Sequence, residues 1–132
     1  GGPVELVDVI TLNKLLSQET NVSMIKIDVE GYEEKVLLGG SEILQNKNLN
    51  VIQLELNQSN ETYGFDEQET FKILKNHGFF PFIYNPENKE LLRLNLRNPG
   101  SRDTLFIRNI ELVKDRLRSK EVTITKNNII IN

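Results

Sequence analysis

Residues 25–40 read Ile-Lys-Ile-Asp-Val-Glu-Gly-Tyr-Glu-Glu-Lys-Val-Leu-Leu-Gly-Gly, a stretch that joins a buried strand to an amphipathic helix. Ile25 and Ile27 predict the strand core, and the apolar residues that follow have helical spacing until two glycines end the helix. Asp28, Glu30 and Gly31 lie on the joint. Because ligands of open α/β sheets bind at the carboxyl ends of strands, this joint is the first candidate for a functional site.

Three parts of the sequence together resemble an FkbM-type S-adenosylmethionine-dependent methyltransferase. They are the run KIDVEGYE at residues 26–33, the apolar helix that ends in Gly-Gly, and the upstream run VITLNKLL at residues 9–16. The run VIQLEL at residues 51–56 is similar to the next strand of that family. The resemblance covers residues 7–108 and corresponds to the C-terminal half of the family's domain.

The resemblance implies an α/β fold, namely a three-layer, Rossmann-like methyltransferase half-domain with a mainly parallel sheet and antiparallel edge strands. Residue patterns predict strands at residues 6–10, 24–27, 51–56, 79–84, 91–96 and 104–108, with helices at 12–16, 32–38 and 67–76. A further helix at 111–119 and a hairpin at 122–131 lie outside the resemblance. We therefore divide the chain into a partial methyltransferase-like domain, residues 1–109, and a C-terminal helix and hairpin, residues 110–132.

The glycines of the chain do not form a cofactor loop. By resemblance, S-adenosylmethionine would be held by a glycine-rich turn after the first strand and by an acidic residue that ends the second strand. The eight glycines lie at positions 1, 2, 31, 39, 40, 64, 78 and 100, and no G-x-G cluster stands between a strand and a helix. We therefore expect the chain to be a fragment that lacks the cofactor-binding half and is inactive when isolated.

Acidic side chains near two strand ends are the candidate catalytic groups. We assign catalysis to Asp28, Glu30 and Glu55, and binding of S-adenosylmethionine to Asp28. Glu33, at the start of the helix, and Asn57, after the second strand, are assigned to substrate binding. Methyl transfer chiefly requires that the acceptor be positioned and its proton removed, which carboxylates can do.

The same carboxylates also have structural explanations. Asp28 could cap the helix by accepting amide hydrogens, while the helix dipole favours Glu30 and Glu33 near its N-terminus. Glu55 stands between two leucines, so strand alternation could turn it into a helix layer. Both interpretations stay open at the level of the sequence.

The sequence predicts no metal site. Asp28, Glu55 and Asn57 offer oxygen ligands that suit magnesium, but no histidine accompanies them. The only histidine, His77, lies at a predicted helix end, where a capping role is favoured over catalysis. S-adenosylmethionine is therefore the predicted cofactor, and magnesium is an alternative that we disfavour.

The composition favours a cytoplasmic protein, and the family resemblance implies that its partner is a small-molecule acceptor. The chain has no cysteine, which fits a reducing compartment, and no apolar run long enough to cross a bilayer. We therefore expect no membrane partner.

Two features predict macromolecular partners. Residues 91–132 carry nine basic side chains and four acidic ones, so a non-catalytic α/β interaction domain with a basic C-terminal tail is the alternative function. Nucleic acid is a less favoured partner because aromatic stacking partners are scarce there. The strand Met24–Ile27 would have an unpaired edge in the half-domain, which predicts a homodimer through that edge.

Overall fold

A computed structural model describes residues 1–56, 67–119, 122–124 and 129–131 of the chain. These residues include the following elements, in chain order: α1 (Leu12–Leu15), β1 (Met24–Ile27), α2 (Glu33–Leu38), α3 (Ser41–Gln45), β2 (Val51–Glu55), α4 (Glu67–Asn76), β3 (Phe80–Asn85), β4 (Glu90–Arg93), β5 (Asp103–Ile107), α5 (Ile110–Ser119), β6 (Val122–Ile124) and β7 (Ile129–Ile131). The predicted strand-to-helix joint is confirmed, because β1 ends at Ile27 and α2 begins at Glu33.

The main sheet has five strands in the order β1-β2-β5-β3-β4. Only β1 and β2 pair in parallel, while the other three pairs are antiparallel. The predicted mainly parallel sheet is therefore wrong, although the α/β class is correct. The reason is that β5 inserts between β2 and β3, so β3 runs in the same direction as β1 and β2 but has no parallel neighbour.

One face of the sheet carries the hydrophobic core. Strand alternation directs Ile52 and Leu54 of β2 towards this face, where both are fully buried with Phe106 of β5. Side chains from α1, α2, α3 and α4 pack against the same cluster. Helices α1–α4 thus form one layer on this face of the sheet, and the three-layer, Rossmann-like arrangement stays a prediction.

The predicted strand at residues 6–10 is wrong. These residues have no regular structure, and Leu6 and Val9 are 96% and 92% exposed. Alternating apolar residues form a strand only when a neighbour supplies hydrogen bonds, and within the described ranges no strand pairs with this segment. The outer edge of β1 is unpaired in those same ranges, and the predicted homodimer through it stays a prediction.

Two helix ends carry residue types that favour those positions, namely threonine at an N-cap and glycine after a last turn. Thr11 caps α1, since its Oγ1 accepts a hydrogen bond from the amide of Lys14 at 3.2 Å. Gly78 ends α4 with φ of 82°, a left-handed conformation that suits glycine. His77 Nδ1 lies 2.8 Å from the carbonyl oxygen of Ile73, which can only accept, so the ring donates to the last turn as a cap.

The C-terminal segment contains the predicted hairpin. β6 and β7 pair as a separate antiparallel sheet, whereas β5 is the last strand of the main sheet. The proposed division at residue 109 stays a prediction. Within the described ranges, no helix is both long enough and apolar enough to cross a membrane.

Candidate functional site

The loop between β1 and α2 has an unusual backbone. Glu30 has φ of 52° and Gly31 has φ of 104°, so two successive residues adopt conformations that L side chains rarely take. Glycine accepts this geometry without steric cost, which explains Gly31. The two residues turn the chain sharply after Asp28, at the carboxyl end of β1.

Glu33 stabilises the loop between β1 and α2 through hydrogen bonds to its backbone amides. Its carboxylate is 1% exposed, and Oε1 accepts hydrogen bonds from the amides of Val29 at 3.4 Å and Gly31 at 3.3 Å. The sequence analysis missed this role. Glu33 lies four residues before the buried Leu37, and residues at this spacing share one face of a helix. This spacing could have predicted that Glu33 is buried. The predicted contact of Glu33 with a substrate stays a prediction.

Asp28 does not cap the helix. The N-cap residue of α2 is Tyr32, which makes no side-chain cap hydrogen bond, and the loop amides of Val29 and Gly31 are bonded to Glu33 instead. The capping explanation for Asp28 is therefore wrong.

Three carboxylates come together on the face of the sheet opposite the core. Strand alternation places Gln53 and Glu55 on this open face, because the residues between them face the helices. The suggestion that Glu55 turns into a helix layer is therefore wrong. Carboxylate oxygens of Asp28, Glu30 and Glu55 all lie within 4.8 Å of one another. The structure thus brings together the three residues to which catalysis was assigned.

Two cations border the cluster. Lys26 Nζ lies 3.8 Å from Asp28 Oδ2, and Arg102 NH1 lies 3.8 Å from Glu55 Oε1. Arg102 is 74% exposed at its side chain, whereas Glu55 is only 19% exposed. Ion pairs with such solvent-exposed partners contribute little to stability.

The pKa of Glu55 is raised above its ordinary value despite the nearby Arg102. The largest cause is the side-chain hydrogen bond with Asp28, which requires a proton on one of the two groups. Burial of the carboxyl group and the negative charges of Asp28, Glu30 and Asp103 act in the same direction. Glu55 therefore keeps its proton at pH values where an isolated glutamate would have lost it.

We expect the stability difference between the unmodified chain and Glu55→Gln to depend on pH. Since the folded state binds the Glu55 proton more tightly than the unfolded chain, the raised pKa stabilises the fold at low pH, and this contribution is lost as pH rises through the raised pKa. The melting temperature of Glu55→Gln should then be higher than that of the unmodified chain at neutral pH and similar to it at acid pH. Thermal unfolding across this pH range measures the difference.

Glu87→Gln is the matched control, since it removes one carboxylate from the exposed turn between β3 and β4. A difference between Glu55→Gln and the unmodified chain that is the same at every pH would contradict the raised pKa.

A fourth carboxylate, Asp103, was missed by the sequence analysis. It begins β5 and is the register partner of Glu55, so both side chains lie on the open face. Asp103 Oδ1 is buried and accepts no hydrogen bond from the described residues. No local motif marks Asp103, because its position beside Glu55 depends on the pairing of strands 48 residues apart.

Comparison with known proteins gives the family. The sequence model described as the methyltransferase FkbM domain matches residues 4–81, more than half of the chain. The chain belongs to the FkbM methyltransferase family. No match of comparable significance was found among curated proteins or among solved structures. Three of the clustered carboxylates of this FkbM domain lie inside the matched range, whereas Asp103 lies beyond it.

The FkbM domain also provides oxygen ligands for a cation. Asp28, Glu30 and Glu55 each offer one carboxylate oxygen at the distances given above, and Asn57, the third predicted magnesium ligand, lies outside the described residues. Exposed acidic groups often cluster without a metal ion. Magnesium therefore stays a disfavoured alternative.

The basic helix α5, which lies beyond the residues matched by the FkbM model, is partly neutralised by its own acidic residues. Lys114 pairs with Glu111 at 3.7 Å, and Arg118 pairs with Asp115 at 3.3 Å, each on the same helix. These contacts reduce the positive field expected to attract nucleic acid or an acidic partner. The carboxylate cluster is therefore the stronger candidate site.

Proposed function

We propose that this FkbM-family chain takes part in the S-adenosylmethionine-dependent transfer of a methyl group to a hydroxyl oxygen of a sugar or polyketide-like acceptor. The observation that carries the proposal is the cluster of Asp28, Glu30 and Glu55 at the carboxyl ends of β1 and β2. Ligands of α/β sheets bind at this end, and carboxylates supply the proton acceptor that a hydroxyl needs.

The cluster suits the charge of S-adenosylmethionine. The cofactor supplies, when bound, a methyl group on a positively charged sulfur. Asp28, Glu30, Glu55 and Asp103 carry more negative charge than Lys26 and Arg102 compensate, so the site attracts a cation. We assign Asp28 to hold the cofactor, because it ends β1 and its carboxylate is not used as a helix cap.

Glu55 is the proposed proton acceptor for the acceptor hydroxyl. Its raised pKa makes its carboxylate a stronger base than an ordinary glutamate once it has lost its proton. Asp28 and Glu30 add negative charge beside that carboxylate, which raises its affinity for the proton. The new oxygen–carbon bond would replace the methyl–sulfur bond, whose electron pair would stay on the sulfur, and the hydroxyl proton would pass to Glu55 and from there to water.

The titration of labelled S-adenosylmethionine tests the cofactor requirement. We expect no measurable binding to the 132 residues alone, because no G-x-G cluster is present among their glycines. A longer protein, in which a strand and a glycine-rich turn precede residue 1, should bind the cofactor and methylate hydroxyl acceptors. Tight stoichiometric binding by the 132 residues would contradict the first expectation. A longer protein that binds the cofactor and methylates no hydroxyl compound would contradict the proposed function.

A further inference from the structure

The chain between β1 and α2 makes a tight turn at residues 29–32, with the φ values of a type I′ turn. The amide of Tyr32 donates to the carbonyl oxygen of Val29 at 3.4 Å. The two residues between them both have positive φ, 52° at Glu30 and 104° at Gly31. Such a turn prefers asparagine or aspartate followed by glycine, because most L side chains are strained at its first central position. Gly31 meets this preference and Glu30 does not, so the surrounding structure must hold Glu30 in place.

Glu33 makes hydrogen bonds on both sides of Glu30. Its Oε1 accepts from the amide of Val29 at 3.4 Å and from that of Gly31 at 3.3 Å. The Gly31 amide belongs to the peptide unit that follows Glu30, so its direction depends on the φ and ψ of Glu30. A change of Glu30 to negative φ would rotate this peptide unit and break its bond to Glu33.

The burial of Glu33 is not explained by stability. The side chain is buried at the start of α2, and its Oε2 has no hydrogen-bond partner among the described residues. A buried carboxylate with an unpaired oxygen is destabilising. Leucine at this position would instead extend the apolar face of α2 that carries Leu37. The glutamate therefore points to a requirement of the turn that it holds.

The conformation of this turn decides where the Glu30 carboxylate lies. In the left-handed conformation, a carboxylate oxygen of Glu30 lies within 4.8 Å of those of Asp28 and Glu55. Asp28 precedes the turn and Glu55 belongs to β2, so Glu30 is the member of the cluster that the turn itself carries. A rotation about the backbone of Glu30 would move its side chain relative to the other two.

We propose that Glu33 is a positioning residue, whose buried carboxylate holds the turn at residues 29–32 so that the Glu30 carboxylate lies beside Asp28 and Glu55. The inference rests on the proposed function in that these three carboxylates serve methyl transfer. Glu33 acts through the backbone, in place of the substrate contact predicted from the sequence. Its replacement therefore lowers kcat and leaves the KM for the acceptor unchanged.

Nuclear magnetic resonance of the 132-residue chain tests the turn without a cofactor. A residue with positive φ gives a strong nuclear Overhauser effect between its own amide and α hydrogens, because these lie closer together than at negative φ. We expect this signal at Glu30 in the unmodified chain and in Glu33→Gln, whose side-chain oxygen still accepts amide hydrogens. Glu33→Leu has no acceptor and should lose the signal. Its persistence in folded Glu33→Leu would overturn the proposal.

Glu34→Leu is the matched control. It removes the neighbouring carboxylate from the first turn of α2, and the amides of Val29 and Gly31 donate to Glu33 instead, so Glu30 should keep its signal.

Hydrogen exchange of the unmodified chain decides the question if Glu33→Leu does not fold. The Gly31 amide should exchange at least about 10-fold more slowly than in an unfolded chain, because it is bonded to a buried carboxylate. Exchange of this amide at the unfolded rate would overturn the proposal.

Methyl transfer by the longer protein separates this inference from the proposed function. Glu33→Leu should lower kcat at least about 10-fold, since a displaced catalytic group misaligns the reaction, and Glu33→Gln should keep most of the rate. If the unmodified protein methylates acceptors and Glu33→Leu does so equally fast, the positioning role is wrong and the function stands. If no hydroxyl compound is methylated but Glu30 loses its positive φ in Glu33→Leu, the positioning of Glu30 stands and the function is wrong.

Discussion

Arg108→Met is expected to lower the free energy of unfolding by about 3 kcal/mol, because it removes a charged donor from several carbonyl groups at once. Arg108 NH1 donates to the carbonyl oxygen of Leu44 at 2.7 Å, and NH2 donates to those of Asn46 and Leu49. The guanidinium also lies 4.5 Å from the ring centre of Phe79, and burial lowers its pKa. Arg108 thus ties the end of β5 to the segment that leads from α3 into β2.

Arg93→Met is the matched control for this loss. The Arg93 guanidinium also lies over a phenylalanine ring, 4.2 Å from the centre of Phe80, but the described residues offer it no carbonyl contact of the kind that Arg108 makes. A cation over an exposed ring contributes about 1 kcal/mol or less, so the control should lose much less stability. Urea denaturation of both variants measures the difference. Equal losses would show that the carbonyl hydrogen bonds of Arg108 do not stabilise the fold.

Asp28→Asn is expected to lower methyl transfer at least about 100-fold in a protein that binds S-adenosylmethionine, since Asp28 is assigned to hold the cofactor and misplacing a reactant by about 1 Å can lower a rate about 100-fold. The substitution keeps the shape of the side chain but removes the charge that raises the pKa of Glu55. Stability should change by less than about 1 kcal/mol, because the ion pair with Lys26 is exposed.

The pH dependence of the remaining activity gives a second readout. Because Asp28 raises the pKa of Glu55, its replacement should lower that pKa and move the acid limb of the pH–rate profile to lower pH. Asp115→Asn, which breaks a comparable exposed ion pair with Arg118, should leave rate and profile unchanged. Unchanged turnover in Asp28→Asn would show that Asp28 takes no part in the reaction.

The joint between β1 and α2 could be predicted from the sequence because its signals are local. A β-branched strand core, a glycine in the turn and helical spacing of apolar residues all lie within residues 25–40. The resemblance of the same residues to the FkbM family is confirmed by the match to residues 4–81. Local residue preferences also account for Thr11 as the cap of α1 and Gly78 at the end of α4.

The sheet order could not be predicted in the same way. The insertion of β5 between β2 and β3 depends on contacts between distant parts of the chain, and the expectation of parallel pairing came from the alternation of strands and helices. Residues 6–10 have the composition of a strand, but composition does not supply a pairing partner. Asp103 was missed for the same reason, since only the β2–β5 register brings it to Glu55.

The left-handed backbone conformation of Glu30 destabilises the fold. A non-glycine residue in the left-handed region is destabilised by roughly 1–2 kcal/mol, and Glu30 has φ of 52°. Glycine or asparagine at this position would relieve the strain, but neither carries a carboxylate. A search for stabilising substitutions would therefore favour position 30 and would remove one member of the cluster in the process. At this position the chain gives up thermodynamic stability and keeps an acidic group at the strand end, which is the trade-off expected of a binding or catalytic loop.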